Sequence, residues 1–206
     1  MKIVTKIEEV INELRDGGVV VYPTETCYGL GGDATNPEVV EKIYKIKQRR
    51  EEKPFLVIVP DVEMAKEYLE WSPQLDEIAK KYWPGALTVV SEGKSKSEKD
   101  KRLTDGVIAP DGTVAMRVTA HPVAAELARA LGRPLISTSA NISGREPSYS
   151  VEEVINMFAN QPDQPDILIN AGELPKNLPT TMVKVDGGQL VVLRKGQLEI
   201  KSLEIV

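Results

Sequence analysis

Residues 135–144 read LISTSANISG: an apolar start, then Ser137, Thr138, Ser139, Asn141 and Ser143, closed by Gly144. Short hydroxyls and amides at this density make one of two things. They form a Ser/Thr/Asn-rich turn, because such side chains imitate backbone turns, or a set of small donors at a strand end, where open α/β sheets bind anionic ligands. Cations stand elsewhere with compatible chemistry. In KIKQRREEKP (45–54), Lys47 and Arg49 come at the end of an expected helix and Lys53 follows it. Basic residues suit a helix C-terminus through the dipole; ammonium and guanidinium groups are also what a polyphosphate needs, Arg bidentately. Arg117 lies in the otherwise mostly apolar TVAMRV, and Arg194 ends LVVLR. Each is an outward-facing alternate or a partly buried group that requires an anion. PTET (23–26) and PTTM (179–182) set paired threonines beside strand ends.

Other chemistries fit less well. GLGGDA (29–34) has the G-x-G-x-x-A spacing of a dinucleotide fingerprint, but PTETCY separates it from the preceding strand and the next helix begins at Pro37. Gly29, Gly31 and Gly32 are expected to allow a close turn. There is no G-x-x-x-x-G-K-[ST] phosphate loop. His121, the one histidine, stands at an expected helix start with no nucleophile elbow beside it, and Cys27, the one cysteine, reads as a small packed thiol. A single Cys and a single His leave no disulfide framework and no Cys/His zinc cluster, and fit a reducing, cytoplasmic setting. A formal net charge of −5 argues against a uniformly basic nucleic-acid coat, though not against a local patch. The first residues carry acids within their apolar periodicity, unlike a signal peptide, and no apolar run is long enough to span a membrane.

The elements that must hold these residues follow from periodicity. Ile7, Val10, Ile11 and Leu14 have helical spacing over 6–16, stopped by Gly17-Gly18. A strand is expected at 19–22, a helix from Asn36-Pro37 with Val39, Val40, Ile43 and Ile46 inward, a strand at 55–59, and a helix capped by Asp61. A helix near 74–83 precedes YWPGALTVV. The polar stretch 91–105 is expected to be a surface loop. Strands at 113–118 and 134–137 flank a helix whose apolar face holds Val123, Leu127 and Leu131. A helix near 151–159 and strands near 167–169, 181–185, 190–194 and 198–201 complete the chain. The alternation predicts one α/β (α+β) domain over residues 1–206, with a mixed parallel and antiparallel sheet. With 206 residues, 41% hydrophobic, the chain can bury its own core.

Seven blocks taken in order, YPTETCYGLGGDA, KIKQR followed by FLVIV, YWPGALTVV, AMRVTAHP, STSANISG, TTMVKVD and VVLRKGQ, resemble the YrdC family of threonylcarbamoyl-AMP synthases from about residue 8 to 196. The most specific marks are the K-x-R of Lys47 and Arg49 and the S-x-N of Ser139 and Asn141. The resemblance implies a twisted mixed sheet flanked by helices around a large, positively lined cleft. It implies a nucleotidyltransferase reaction in which L-threonine, bicarbonate and ATP give threonylcarbamoyl-adenylate and pyrophosphate, for threonylcarbamoylation of an adenosine in tRNA. Carried over, Lys47 and Arg49 would neutralise ATP phosphates, with Lys53 at the rim. Ser139 and Asn141 would donate to phosphate or ribose oxygens, Thr113 would touch the nucleotide, and Arg194 would close over it. Arg117 would pair with the threonine carboxylate, surrounded by Thr24, Ser137 and Thr180. Magnesium would arrive with ATP, held by phosphates and water rather than by protein side chains. Implied partners are the tRNA threonylcarbamoyl-transferase machinery and tRNA itself. Two departures are visible: many relatives carry a histidine where Ile58 stands, and longer relatives have a further C-terminal domain, so this chain is expected to be the short form. The competing function is a non-catalytic double-stranded RNA or tRNA binder using Lys42, Lys45, Lys47, Arg49, Arg50 and Lys53 on phosphates.

Overall fold

Helix boundaries follow their caps. In the computed structural model, which describes residues 1–50, 53–94, 102–186 and 189–200, α1 (Ile7–Arg15) ends before Gly17, whose φ is +82°. Asn36 caps α2 (Pro37–Lys47), Asp61 caps α3 (Val62–Tyr68) and Ser72 caps α4 (Pro73–Tyr82), each side chain accepting a backbone amide of the first turn. Pro122 opens α5 (Pro122–Leu131), which Gly132 closes in the left-handed region. Ser150 and Glu153 form a reciprocal capping box on α6 (Val151–Phe158).

The strands are β1 (Lys2–Val4), β2 (Val20–Pro23), β3 (Tyr28–Gly31), β4 (Val57–Val59), β5 (Leu87–Glu92), β6 (Thr113–Val118), β7 (Leu135–Ile136), β8 (Thr138–Ser139), β9 (Ile167–Ile169), β10 (Thr181–Asp186) and β11 (Gln189–Arg194). They build two mixed sheets rather than the single expected one, in the orders β1-β9-β2-β3-β8 and β11-β10-β5-β6-β4-β7. Alternation along β2 explains why both faces of the first sheet are buried. Val19 and Val21 join one apolar cluster with Val57, Val89 and Met116 of the second sheet, whereas Val20 and Tyr22 join another with Val10, Leu14 and Leu127 of the helices.

The chain passes between the sheets within residues 135–139. β7 pairs antiparallel with β4, β8 pairs antiparallel with β3, and Ser137 alone separates them, its amide donating to the Leu56 oxygen at 2.9 Å. This crossing is possible because the neighbouring strand carries glycine. A Cβ at Gly31 would lie 1.7 Å from the Ile136 oxygen. Gly29 and Gly31 therefore serve close strand approach within β3, not the expected turn.

Other expectations are corrected in the same way. Phe55 and Leu56 precede β4 instead of belonging to it. Of the strand expected at 198–201, residue 201 lies outside the described residues and 198–200 form none; Leu198 instead clasps Thr181, accepting from its Oγ1 at 2.7 Å and donating its amide to the same atom at 3.0 Å. Within 91–105, residues 95–101 lie outside the described residues, Ser91 and Glu92 extend β5, and Leu103 is buried in the core rather than in a surface loop. No helix among the described residues is long and apolar enough to cross a membrane.

Candidate active site

Where the two sheets meet, a cleft of about 560 Å³ opens. A second cavity of about 520 Å³ adjoins it, sharing Arg49, Thr138 and Ser139. All eleven sequence-selected residues border one or both: Thr24, Thr113, Arg117, Ser137, Thr180 and Arg194 the first, Lys47, Lys53 and Asn141 the second, Arg49 and Ser139 both. Among the described residues, neither cavity is lined by a carboxylate. The local field therefore favours an anionic occupant.

At one end stands Arg117, on β6 between the buried Met116 and Val118, itself only 3% exposed. Its Nη1 forms an ion pair with Glu25 Oε2 at 2.5 Å, outside hydrogen-bond geometry, and Nη1 and Nε are both buried without a hydrogen-bond partner among the described residues. Glu25 was not among the residues expected at the site. Its Oε1 accepts from Thr119 Oγ1 at 2.7 Å and from the amides of Ala120 and His121 at 2.6 and 3.2 Å, which ties it to the start of α5. Burial alone would raise the Glu25 carboxyl; the adjacent Arg117 charge, with the hydrogen bond from Thr119, outweighs burial and holds it at about 2. An acid between two threonines was the only sequence signal, and it says nothing of a partner so distant in the chain.

Around Arg117 the threonines are already oriented. Thr24 Oγ1 donates to the Cys27 oxygen at 2.7 Å and closes the turn between β2 and β3. Thr180 Oγ1 lies 2.9 Å from Thr88 Oγ1 and accepts from Arg194 Nη2 at 3.0 Å. Arg194 also donates to the Thr180 oxygen through Nε and Nη2, at 3.1 and 3.0 Å; burial, and then repulsion from Arg117, lower its pKa. Thr113 Oγ1 donates to Asp111 at 2.6 Å. Cys27 borders the cleft as a buried thiol pushed up by burial, and His121 lies at the α5 N-terminus without a side-chain cap bond.

The second cavity is cationic. Arg49 lies over the Phe55 ring at 4.8 Å, donates to the Pro54 oxygen at 3.1 Å, and has a buried Nε without a hydrogen-bond partner among the described residues. Lys47, in contrast, is turned inward and 2% exposed, its ammonium bonded to Ser139 and Asn141. Asn141 Oδ1 also accepts from Ser139 Oγ at 2.5 Å, and its Nδ2 donates to the oxygens of Ile142 and Arg145. The S-x-N turn is thus knitted to the end of α2 before any ligand arrives. Ile58, fully buried, packs with Leu127 and Leu135 and lines neither cavity. Of the basic residues considered for RNA, Lys42 is paired with Asp166 and Lys45 with Glu41, and Lys47 is buried, so Arg49, Arg50 and Lys53 are those left along the cavity.

The family model Sua5_yciO_yrdC, described as telomere recombination, matches residues 12–196. The threonylcarbamoyl-AMP synthase of Pyrococcus abyssi is 32% identical over 216 residues, covering 100% of this chain and 61% of its own length. That of Halorhodospira halophila is 37% identical over 163 residues, covering 77% of this chain and 80% of its own. The crystal structure of P. abyssi Sua5 complexed with L-threonine superposes with a TM-score of 0.80 at 29% identity, over 95% of this chain and 57% of that one. The chain thus spans about three fifths of the P. abyssi relative it matches.

Proposed function

The chain belongs to the Sua5/YciO/YrdC family, and from that premise we propose that it is a threonylcarbamoyl-AMP synthase. The reaction joins L-threonine and bicarbonate to a carbamate with loss of water. The carbamate oxygen then attacks the α-phosphorus of ATP, and pyrophosphate leaves. This chemistry needs no protein nucleophile; it needs reactants aligned and negative charge balanced. The observation that carries the reading is the joining of two cavities through Arg49, Thr138 and Ser139, with the buried Arg117 on one side and, on the other, a cationic surface free of carboxylates among the described residues.

In this reading Arg117 takes the threonine carboxylate, with Thr24, Ser137 and Thr180 around the amino acid. Arg49 and Lys53 meet the phosphates, Ser139, Asn141 and Thr113 the nucleotide, and Arg194 closes from β11. Lys47 adds its charge from beneath the 139–141 turn. In this reading magnesium enters with ATP, held by phosphate oxygens and water. It offsets charge on the phosphates. The product passes, in the cytoplasm, to the machinery that transfers the threonylcarbamoyl group to tRNA.

The test is pyrophosphate release from ATP with magnesium, with and without bicarbonate and L-threonine. Release that requires both, with the mass of threonylcarbamoyl-adenylate among the products, is expected. Release without threonine, or none from folded protein, overturns the assignment.

A further inference from the structure

Glu25 is the only acidic group that the structure sets directly against the guanidinium lining the amino-acid end of the cleft among the described residues. Its side chain is 15% exposed and is not part of the cleft wall, so it reaches a ligand only through what it holds. One carboxylate oxygen, Oε2, faces Arg117 Nη1 at 2.5 Å. The other, Oε1, is locked by three donors from Thr119, Ala120 and His121 at the entry to α5. The Glu25 main-chain oxygen accepts from Asn177 Nδ2 at 2.9 Å, and Asn177 does line the cleft. Glu25 is thus anchored through its other carboxylate oxygen and its backbone, while Arg117 meets it by charge alone, neither Nε nor Nη1 having a hydrogen-bond partner among the described residues.

We propose that Glu25 is the positioning residue of the amino-acid site: anchored on the α5 entry, it fixes the Arg117 guanidinium so that its remaining donors receive a substrate carboxylate in one orientation. This rests on the reading of Arg117 as the carboxylate receptor. An arginine side chain has several rotatable bonds, and a ligand that must first order them binds more weakly. A buried guanidinium also needs a counter-charge when no substrate is present. Glu25 supplies both, and it leaves the phosphate end of the site untouched.

The test compares wild type with Glu25→Gln, which keeps an oxygen to accept from Thr119, Ala120 and His121 but loses the charge. L-threonine affinity is measured by calorimetry, and KM is measured for threonine and for ATP. The expected result is threonine affinity about tenfold weaker or more, with KM for ATP within about twofold. Parallel loss in both KM values would mark a general structural defect and overturn the proposal. Tighter threonine binding would mean that Glu25 competes with the substrate for Arg117, and overturns it too. Thr119→Val, which loosens Glu25 from its far side, should give the same split in milder form and carries the test if Glu25→Gln does not fold; a parallel shift there overturns it equally. Wild-type protein that binds no threonine would remove the carboxylate reading of Arg117 itself, a failure seen before any variant is made.

Discussion

Lys47 Nζ lies 2.6 Å from the main-chain oxygen of Ser139. Its other contacts are the main-chain oxygen of Asn141 at 2.8 Å and Asn141 Oδ1 at 3.2 Å, and the Lys47 carbonyl accepts from the Ser143 amide at 2.8 Å. One residue therefore holds both sides of the 139–143 turn, with side chain and backbone together. Burial, and then repulsion from Arg49, bring the Lys47 pKa down to about 7. The K-x-R pair so divides its labour: Lys47 builds the turn, and Arg49 carries a guanidinium nitrogen without a partner among the described residues.

That division predicts different phenotypes for the pair. Lys47→Met leaves buried carbonyls unpaired and should cost about 2 kcal/mol of stability along with turnover. Arg49→Ala should reduce ATP-dependent pyrophosphate release about a hundredfold or more while costing less than about 1 kcal/mol. Urea unfolding and the pyrophosphate assay read the two effects separately. A Lys47→Met protein as stable as wild type would free the ammonium from the turn.

The division was not legible in the chain, and the reason is physical. Local chemistry was: Asn36-Pro37 and Asp61 announced α2 and α3, and the stripes of α1, α2 and α5 face the cores as their spacing required. The eleven selected residues do gather at the two cavities. What spacing could not give was where a side chain turns once distant segments meet. The bond between Thr119 and Glu25 spans 94 positions, and that between Lys47 and Ser139 spans 92. The short strands β1, β3 and β8 escaped for a related reason. Two to four residues, two of them glycine in β3, carry almost no period of their own and become strands only by pairing.

Gly31 offers a test of the sheet crossing. Its missing Cβ makes room for the Ile136 oxygen, and the atom in the way is backbone, which cannot swing aside. Gly31→Ala should therefore cost about 3 kcal/mol, at the upper end for an added methyl group. Pushing β7 away from β3 would also move Ser137 and weaken both substrates' KM. Denaturant midpoints check the first effect and steady-state kinetics the second; a fully stable Gly31→Ala protein would contradict the close approach.

Acid should expose the Glu25 pair. The folded carboxyl titrates at about 2, below its ordinary value of 4.5, so the unfolded chain binds the proton first as pH falls. The stabilisation is complete above about 4.5 and is lost as pH drops through about 2, amounting to about 3 kcal/mol over that window. Stability measured by urea unfolding should thus fall more steeply with acid in wild type than in Glu25→Gln. Equal slopes would mean that Glu25 titrates normally in the folded protein.

Arg117 calls for a paired design. Arg117→Met alone would strand the Glu25 carboxylate in a buried site, and such half-broken pairs cost about 3 kcal/mol or more. A loss of threonine use in that variant would therefore mix a missing ligand with a damaged fold. Combining it with Glu25→Gln removes both charges while leaving an oxygen for Thr119, Ala120 and His121. The double variant should recover most of the lost stability, retain ATP binding and still bind no threonine. A double-variant cycle by equilibrium unfolding, with threonine and ATP titrations alongside, measures each term. If the double variant were as unstable as Arg117→Met, the damage would lie in lost packing around β6. If it still bound threonine, the carboxylate would have its receptor elsewhere, with Arg194 the next guanidinium along the same cleft.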